Sequence, residues 1–175
     1  MKSGLDQLAK YAQYHRDRRN IATHLVGVPM IVFAVIVLLS RPSFDAAGLA
    51  LNPAWFVLVA AGIYYLLLDA GLGLTLTAIM AAMTWAAGQI ALMSNPVWLA
   101  TGLGLFVAGW IIQFIGHYYE GRKPTFVDDL IGLMIGPLFV WAEIVFAAGL
   151  RQDLLKAIEA RAGPTHIRGV NNPAT

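Results

Sequence analysis

Cysteine is absent from this chain of 175 residues, and charged residues make up only 13% of it. Without cysteine the protein can form no disulfide, no iron–sulfur cluster and no thiolate metal site. Soluble domains carry roughly a quarter charged residues, whereas 58% of this sequence is hydrophobic. The two shortages exclude an ordinary soluble domain and any metal site built on sulfur.

Long apolar runs fill most of the chain. Between His24 and His117 the only charged residues are Arg41, Asp45 and Asp69. Segments of about 20 apolar residues are long enough to cross a bilayer core as helices. We assign four transmembrane helices, Leu25–Ser40, Trp55–Leu68, Leu72–Met93 and Val97–Ile115. The sequence therefore predicts an all-α, polytopic helical membrane protein.

A fifth apolar segment, Leu130–Leu150, is interrupted by Gly136-Pro137 and carries Glu143. Proline removes a backbone donor and clashes with the preceding turn, so a break is expected there. A full fifth crossing would also place the basic residues of Arg151–Arg168 outside, against the positive-inside rule. We favour a broken, re-entrant or interfacial segment over a fifth span. Both termini are then cytoplasmic, in a bacterial inner membrane.

The ends of the chain are more polar. Leu5, Leu8 and Tyr11 recur at helical spacing, which predicts an N-terminal amphipathic helix lying against the membrane surface. Residues 162–175 are rich in Gly, Pro and Asn and are expected to form a loose tail. Residues 1–161 then form a single membrane-embedded catalytic domain.

Three of the four histidines lie at the two rims of the apolar block. His15 and His24 are nine residues apart, so on one straight helix they would point in opposite directions. They converge only if the chain bends between them, and we expect the corner at Arg19-Asn20. A membrane crossing and its return would bring His117 to the same cytoplasmic rim. Imidazole is the commonest ligand of transition metals, so His15, His24 and His117 are the candidate ligands.

Polar residues accompany these histidines. Asn20 precedes His24 by four residues, and Glu120 follows His117 by three, so each pair shares a helix face. Asn20 and Glu120 are our candidate catalytic residues. Arg122 and Lys123 are first a positive-inside signal and second a candidate site for an anionic head group.

Each of these residues also has a structural interpretation. A single interfacial histidine is often only a snorkelling polar group, and His166 in the tail is expected to be inert. Glu143 is either a functional group or a structural cap. Asp128-Asp129 are, in order of preference, an N-cap, a carboxylate that orients a metal ligand, or a ligand. A nitrogen and oxygen site without sulfur suits iron(II) and O₂ better than structural zinc.

Two motifs make the sequence similar to a known family. The first comprises Tyr14-His15, Asn20, His24 and Val28-Pro29, and the second comprises Gln113-Phe114, Gly116-His117, Arg122, Pro124, Asp129 and Pro137. They resemble the 2-hydroxy fatty acid dioxygenase family over about Leu5 to Gly149. The chain departs from the family at Thr125-Phe126, where Ala-Leu is more usual, and in the spacing of Glu120 from His117.

The resemblance implies an Fe²⁺-dependent membrane enzyme of fatty-acid α-oxidation. Its substrates would be O₂ and a 2-hydroxy fatty acid, which it would shorten by one carbon. The family's motif histidines map to His15, His24 and His117. Membrane lipids are expected partners and nucleic acid is not. The sequence does not decide between a monomer and a homo-oligomer. Two alternatives are a cytochrome-like protein with haem held by His24 and His117, and a non-enzymatic membrane scaffold.

Overall fold

The computed structural model describes residues 3–46, 49–122 and 131–169. Helices dominate this part of the chain, as predicted. The elements are α1 (Gly4–Ala12), α2 (Arg18–Ser40), β1 (Phe44–Ala46), β2 (Leu49–Leu51), α3 (Pro53–Leu68), α4 (Ala70–Ala91), α5 (Asn95–Glu120), α6 (Ile131–Ala147) and α7 (Gln152–Ala162).

Three of the helices, α2, α4 and α5, are long and apolar enough to cross a membrane. They contain 23, 22 and 26 residues and coincide with three of the four predicted spans. The remaining predicted span corresponds to α3, which is apolar but has only 16 residues. The described part of the chain therefore has three helices able to cross a membrane, and a crossing by α3 stays a prediction.

Helix α6 corrects the predicted break. It runs without interruption from Ile131 to Ala147 and includes Pro137 in its interior. A proline in a helix forfeits one backbone hydrogen bond, but tertiary packing supplies most of a helix's stability. Ile135, Leu138 and Phe139 on either side of the proline are buried, which accounts for the intact helix. Helix α2 likewise continues through Pro29.

The connection from α2 to α3 contains the two-stranded antiparallel hairpin β1–β2, which the sequence analysis did not foresee. Phe44 pairs with Leu51 and Asp45 pairs with Ala50. Helix α3 then starts at Pro53, and the side chain of Asn52 accepts the backbone N–H of Ala54. Proline in the first turn and an Asn N-cap are a common helix start.

The chain forms two compact units, residues 29–110 and residues 1–28 with 111–175. In the first unit, α4 starts at the N-cap Asp69 and packs closely on α3. A methyl group on Gly73 would lie 2.5 Å from the backbone carbonyl carbon of Tyr65. A cluster of Ile36, Val37 and Ala87 forms part of its core.

The second unit contains α1, α6 and α7 and the histidines. Helix α1 lies against α6 and α7, and it buries Leu8, Tyr11 and Ala12. The amphipathic helix is therefore confirmed, but its apolar face is buried in the protein and not against the membrane. Its N-terminus is a capping box between Ser3 and Asp6.

The described part of the predicted loose tail is held by backbone hydrogen bonds. The N–H of Arg18 donates to the carbonyl of His166 at 2.9 Å, and the N–H of His166 donates to the carbonyl of Arg16 at 2.9 Å. The Arg168 N–H donates to the Asp17 carboxylate at 2.8 Å. Residues 163–169 thus pack beside the loop that carries His15. The assignment of residues 1–161 as one catalytic domain stays a prediction.

Candidate metal centre

The three histidines assigned from the sequence meet at one point. His15 lies in the loop between α1 and α2, His24 lies in α2, and His117 lies in the last turn of α5. One nitrogen of each ring lies within 4.8 Å of the corresponding nitrogen of the other two. All three side chains are buried, with 1%, 2% and 8% of their surface exposed. This is a cluster able to hold a metal ion.

The bend that allows this convergence lies earlier than expected. Helix α1 ends at Ala12 and α2 begins at Arg18, so Arg19 and Asn20 already belong to the helix. The Asp17 carboxylate accepts the Arg19 N–H at 2.8 Å, and the Asp17 carbonyl accepts the Ile21 N–H at 3.0 Å. Such bonds from an Asp mark a helix start. The corner predicted at Arg19-Asn20 is therefore wrong by a few residues.

Backbone carbonyls fix the tautomers of two histidines. His15 Nδ1 lies 2.8 Å from the Tyr11 carbonyl, and His24 Nδ1 lies 2.9 Å from the Asn20 carbonyl. A carbonyl oxygen can only accept, so each Nδ1 carries the proton. The Nε2 atom of each neutral ring then bears a lone pair. These two Nε2 atoms face each other at 3.1 Å.

Two lone pairs at that distance repel each other unless a proton or a cation lies between the rings. Burial lowers the pKa of His15 well below its usual value of 6.5, and the neighbouring His24 lowers this pKa further. Both effects disfavour protonation. Two imidazole nitrogens that each bind one metal at ~2.1 Å can be no more than about 4.2 Å apart, and the observed separation lies within that limit. The pair therefore fits a shared metal ion.

Three further polar atoms of this region lack a partner among the described residues. His117 Nδ1, Asn20 Oδ1 and Gln113 Oε1 are buried and have no hydrogen-bond partner within the part of the chain that the structure describes. Leaving such an atom unpaired costs about 1–3 kcal/mol. A cation, or a donor on a bound molecule, would remove that penalty.

Aromatic rings support His15. The Tyr11 ring is stacked on the imidazole, with centroids 4.1 Å apart and planes 4° from parallel. The Phe139 ring of α6 lies 5.7 Å from the same imidazole. Burial raises the pKa of Tyr11, so its hydroxyl stays neutral. The position of Tyr11 four residues before His15 could have indicated its role, whereas no local pattern indicates Phe139.

The candidate catalytic residues lie next to the cluster as hydrogen-bonding groups. Glu120 accepts the backbone N–H groups of Arg16 and Asp17 at 3.1 and 2.9 Å. It also accepts the side-chain amide of Asn20 at 2.9 Å. The carbonyl of Asn20, as described above, receives Nδ1 of His24. The structure thus brings Glu120 and Asn20 together with the histidines.

Arg122, the candidate for an anionic head group, donates to the Gln13 carbonyl at 2.9 Å. It lines an open polar cleft of about 590 Å³ together with Arg16, Glu120, His166 and Arg168 among others. Lys123 and Asp128-Asp129 lie outside the described residues.

Arg16 and Glu143 carry opposite charges and face each other inside the protein. Arg16 is only 4% exposed and donates to the carbonyls of Ala12 and His15. Its guanidinium lies 3.8 Å from the Glu143 carboxylate. Glu143 therefore faces a cation from the loop of His15, a partner that the sequence analysis did not identify.

Comparison with known proteins agrees with the motifs around these histidines. A family model described as 2-hydroxy-palmitic acid dioxygenase Mpo1-like matches residues 1–148. The chain belongs to this family. The 2-hydroxy-palmitic acid dioxygenase MPO1 of Saccharomyces cerevisiae is 32% identical to it over 157 residues, which cover 87% of this chain and 86% of the yeast protein. No solved structure matches the chain significantly. The family resemblance inferred from the two motifs is confirmed.

Proposed function

We propose that this membrane protein is an Fe²⁺-dependent dioxygenase that shortens 2-hydroxy fatty acids by one carbon. The balanced reaction converts one 2-hydroxy acid and one O₂ into the acid one carbon shorter, CO₂ and water. Membership of the Mpo1-like family supports the substrate class. The observation that carries the metal assignment is the 3.1 Å approach of the His15 and His24 Nε2 atoms, whose rings both donate through Nδ1.

Iron suits the donors of this cluster. The ligands would be His15, His24 and His117, and the chain offers no thiolate. Three imidazoles without sulfur can hold either catalytic zinc or iron and leave positions open for substrate. A dioxygenase needs a redox-active metal, so membership of the family favours iron over zinc. Bound there, Fe²⁺ would supply electrons for O₂ and open positions for the carboxylate and hydroxyl of the substrate.

The protein's own residues would prepare the site in three ways. The carbonyls of Tyr11 and Asn20 hold the rings in the Nδ1–H tautomer, which leaves Nε2 free to bind the ion. The rings of Tyr11 and Phe139 cover His15 and exclude water from it. Arg122, with Lys123 beside it in the sequence, would pair with the carboxylate of the substrate.

The haem alternative is disfavoured by the packing of the imidazoles. The ring centroids of His24 and His117 are only 5.0 Å apart, and the His15 ring lies at 4.5 and 5.1 Å from them. A porphyrin plane between His24 and His117 would have to displace His15. A scaffold without chemistry would not explain buried imidazole nitrogens that face one another.

The proposal also includes a location. The three long apolar helices support residence in a membrane. The basic clusters at both ends of the sequence favour a bacterial inner membrane with both termini in the cytoplasm. Membrane lipids would then surround the helices, and a homo-oligomer is compatible with this arrangement.

Metal analysis of anaerobically purified protein, followed by an oxygen-uptake assay, tests the function. We expect about one iron per chain, no haem absorption band, and O₂ consumption with 2-hydroxypalmitate that yields the acid one carbon shorter. Palmitate should support no uptake because it lacks the hydroxyl that completes chelation. Equal consumption of the two acids would exclude the chelating role, and iron-free protein with full turnover would exclude the metal.

A further inference from the structure

The Glu120 carboxylate accepts hydrogen bonds from three donors. Its Oε1 accepts the backbone N–H of Arg16 at 3.1 Å, and its Oε2 accepts the same N–H at 3.1 Å. Oε2 also accepts the Asp17 N–H and the Asn20 side-chain amide, both at 2.9 Å. These three donors occupy most of the acceptor positions of the carboxylate, which has about four lone-pair sites.

These donors belong to the segments that carry the histidines. Arg16 and Asp17 directly follow His15 in its loop. Asn20 holds His24 through its carbonyl, at 2.9 Å from Nδ1. Glu120 itself follows His117 by one helical turn at the end of α5. One side chain therefore connects all three ligand-bearing segments.

We propose that Glu120 is a positioning residue that sets the affinity of the histidine cluster for divalent metal and takes no part in the bond-making steps. The inference rests on the proposed function, and it replaces the catalytic role that the sequence suggested for Glu120. Arg16 and Asp17 are 4% and 0% exposed, so their N–H groups would lose a buried acceptor if Glu120 were removed. Hydrogen bonds to a charged acceptor are about twice as strong as neutral ones.

Three substitutions of Glu120 separate positioning from catalysis. Glu120→Ala removes every contact, and loss of a group that orients metal ligands typically weakens metal binding about 10–100-fold. Glu120→Asp keeps the charge but shortens the side chain by one methylene, so it should weaken binding as well. Glu120→Gln keeps the length and one acceptor oxygen and should bind metal within about threefold of the wild type.

The measurement is a Co²⁺ titration of the detergent-solubilised full chain, followed through the visible absorption of the ion. The matched control is Asp153→Ala, because Asp153 is an exposed acidic residue in the first turn of α7. Circular dichroism reports whether each variant is folded. If Glu120→Ala is unfolded, the comparison of Glu120→Asp with Glu120→Gln decides.

Turnover at saturating Fe²⁺ provides the second measurement. Positioning predicts that Glu120→Gln keeps most of kcat. A catalytic carboxylate predicts the opposite pattern, with normal Co²⁺ affinity and no turnover in Glu120→Gln, and that result would overturn the inference. Normal Co²⁺ affinity in both Glu120→Ala and Glu120→Asp would overturn it too. Wild-type protein that binds no divalent metal would instead refute the proposed function.

Discussion

The Nε2 atoms of His15 and His24 lie 3.1 Å apart and point at each other, while the Nδ1 atom of each ring donates to a carbonyl four residues earlier in the chain. The same local geometry thus orients a loop histidine and a helix histidine. Neutral rings in this arrangement repel each other, and a shared cation turns the repulsion into two bonds.

Replacing a metal-binding histidine should abolish metal binding without unfolding the protein. We expect His24→Ala to lose iron and activity while the protein stays folded in the membrane, because its stability rests on the apolar helices. Elemental analysis of purified protein measures iron per chain. The control is His166→Ala, since His166 makes its hydrogen bonds to other described residues through its backbone, and this variant should keep its iron. Full iron occupancy and turnover in His24→Ala would show the ligand assignment to be wrong.

The Asp17 carboxylate should make the free energy of unfolding depend on pH. The Arg19 side chain and the backbone N–H groups of Arg168 and Arg19 lower the pKa of this carboxyl below its usual value of 3.8. Because the folded state has the lower pKa, the stabilisation is complete above pH 3.8 and is lost as the pH falls below that value. Asp17→Asn keeps a side chain that can cap the helix but loses the charge that pairs with Arg19, so it should cost about 1 kcal/mol at neutral pH, the difference between a charged and a neutral acceptor.

Thermal unfolding in detergent between about pH 6 and pH 2 measures this effect. The difference in Tm between the wild type and Asp17→Asn should shrink as the pH falls. A difference that stays constant across this range would mean that the ionised carboxylate is not its source.

Gly116 should be intolerant of a side chain. A methyl group there would overlap Thr23 Oγ1 and lie 2.6 Å from Asn20 Oδ1. Overpacking of this kind costs about 1–3 kcal/mol, and here it would displace the helix that holds His24. We therefore expect Gly116→Ala to lower both Tm and Co²⁺ affinity.

Gly104 on the same helix provides the control, because a methyl group there meets no atom of the described residues within 4 Å. Gly104→Ala should be neutral or stabilising by up to ~1 kcal/mol. Equal behaviour of the two variants would contradict the close packing at Gly116.

Arg122→Ala should raise KM more than it lowers kcat. Pairing with the substrate carboxylate exists before the transition state, so its loss weakens binding in both states. Arg122→Lys retains the positive charge and should be impaired less. Steady-state kinetics with 2-hydroxypalmitate test this, and an unchanged KM in Arg122→Ala would assign the carboxylate to another cation.

Both termini should lie on the cytoplasmic side. Reporter fusions at residue 1 and at residue 175 are expected to give the same sidedness, because basic clusters flank the apolar block at each end. Opposite signals from the two fusions would make α6 a further crossing.

The sequence predicted the features that depend on local spacing. Nine residues between His15 and His24 required a bend, and the apolar runs predicted the long helices. The position of the bend depended on Asp17 acting as the helix start, and several residues near it could have done so. Pro137 suggested a break because the burial of Ile135 and Leu138 that outweighs it is not a local property.

Contacts between distant parts of the chain could not be read from spacing. Glu120 was recognised through its place beside His117, yet its donors lie near the other end of the sequence. Two other contacts also join residues that are far apart in the sequence. Arg16 forms an ion pair with Glu143, and the backbone of His166 pairs with that of Arg16 and Arg18. Residue types identified Glu120 and Glu143 as candidates, and only the fold identified their partners.

The order of the ligands along the chain constrains when the centre can form. His15 and His24 leave the ribosome early, but His117 follows only after the apolar helices between them have been made. Domains generally fold as units during synthesis, so a nascent chain that displays the first two imidazoles cannot yet complete the cluster. Under the proposed function, metal can bind the complete cluster only after the helices between His24 and His117 have been made, and a cell starved of that metal would accumulate apoprotein.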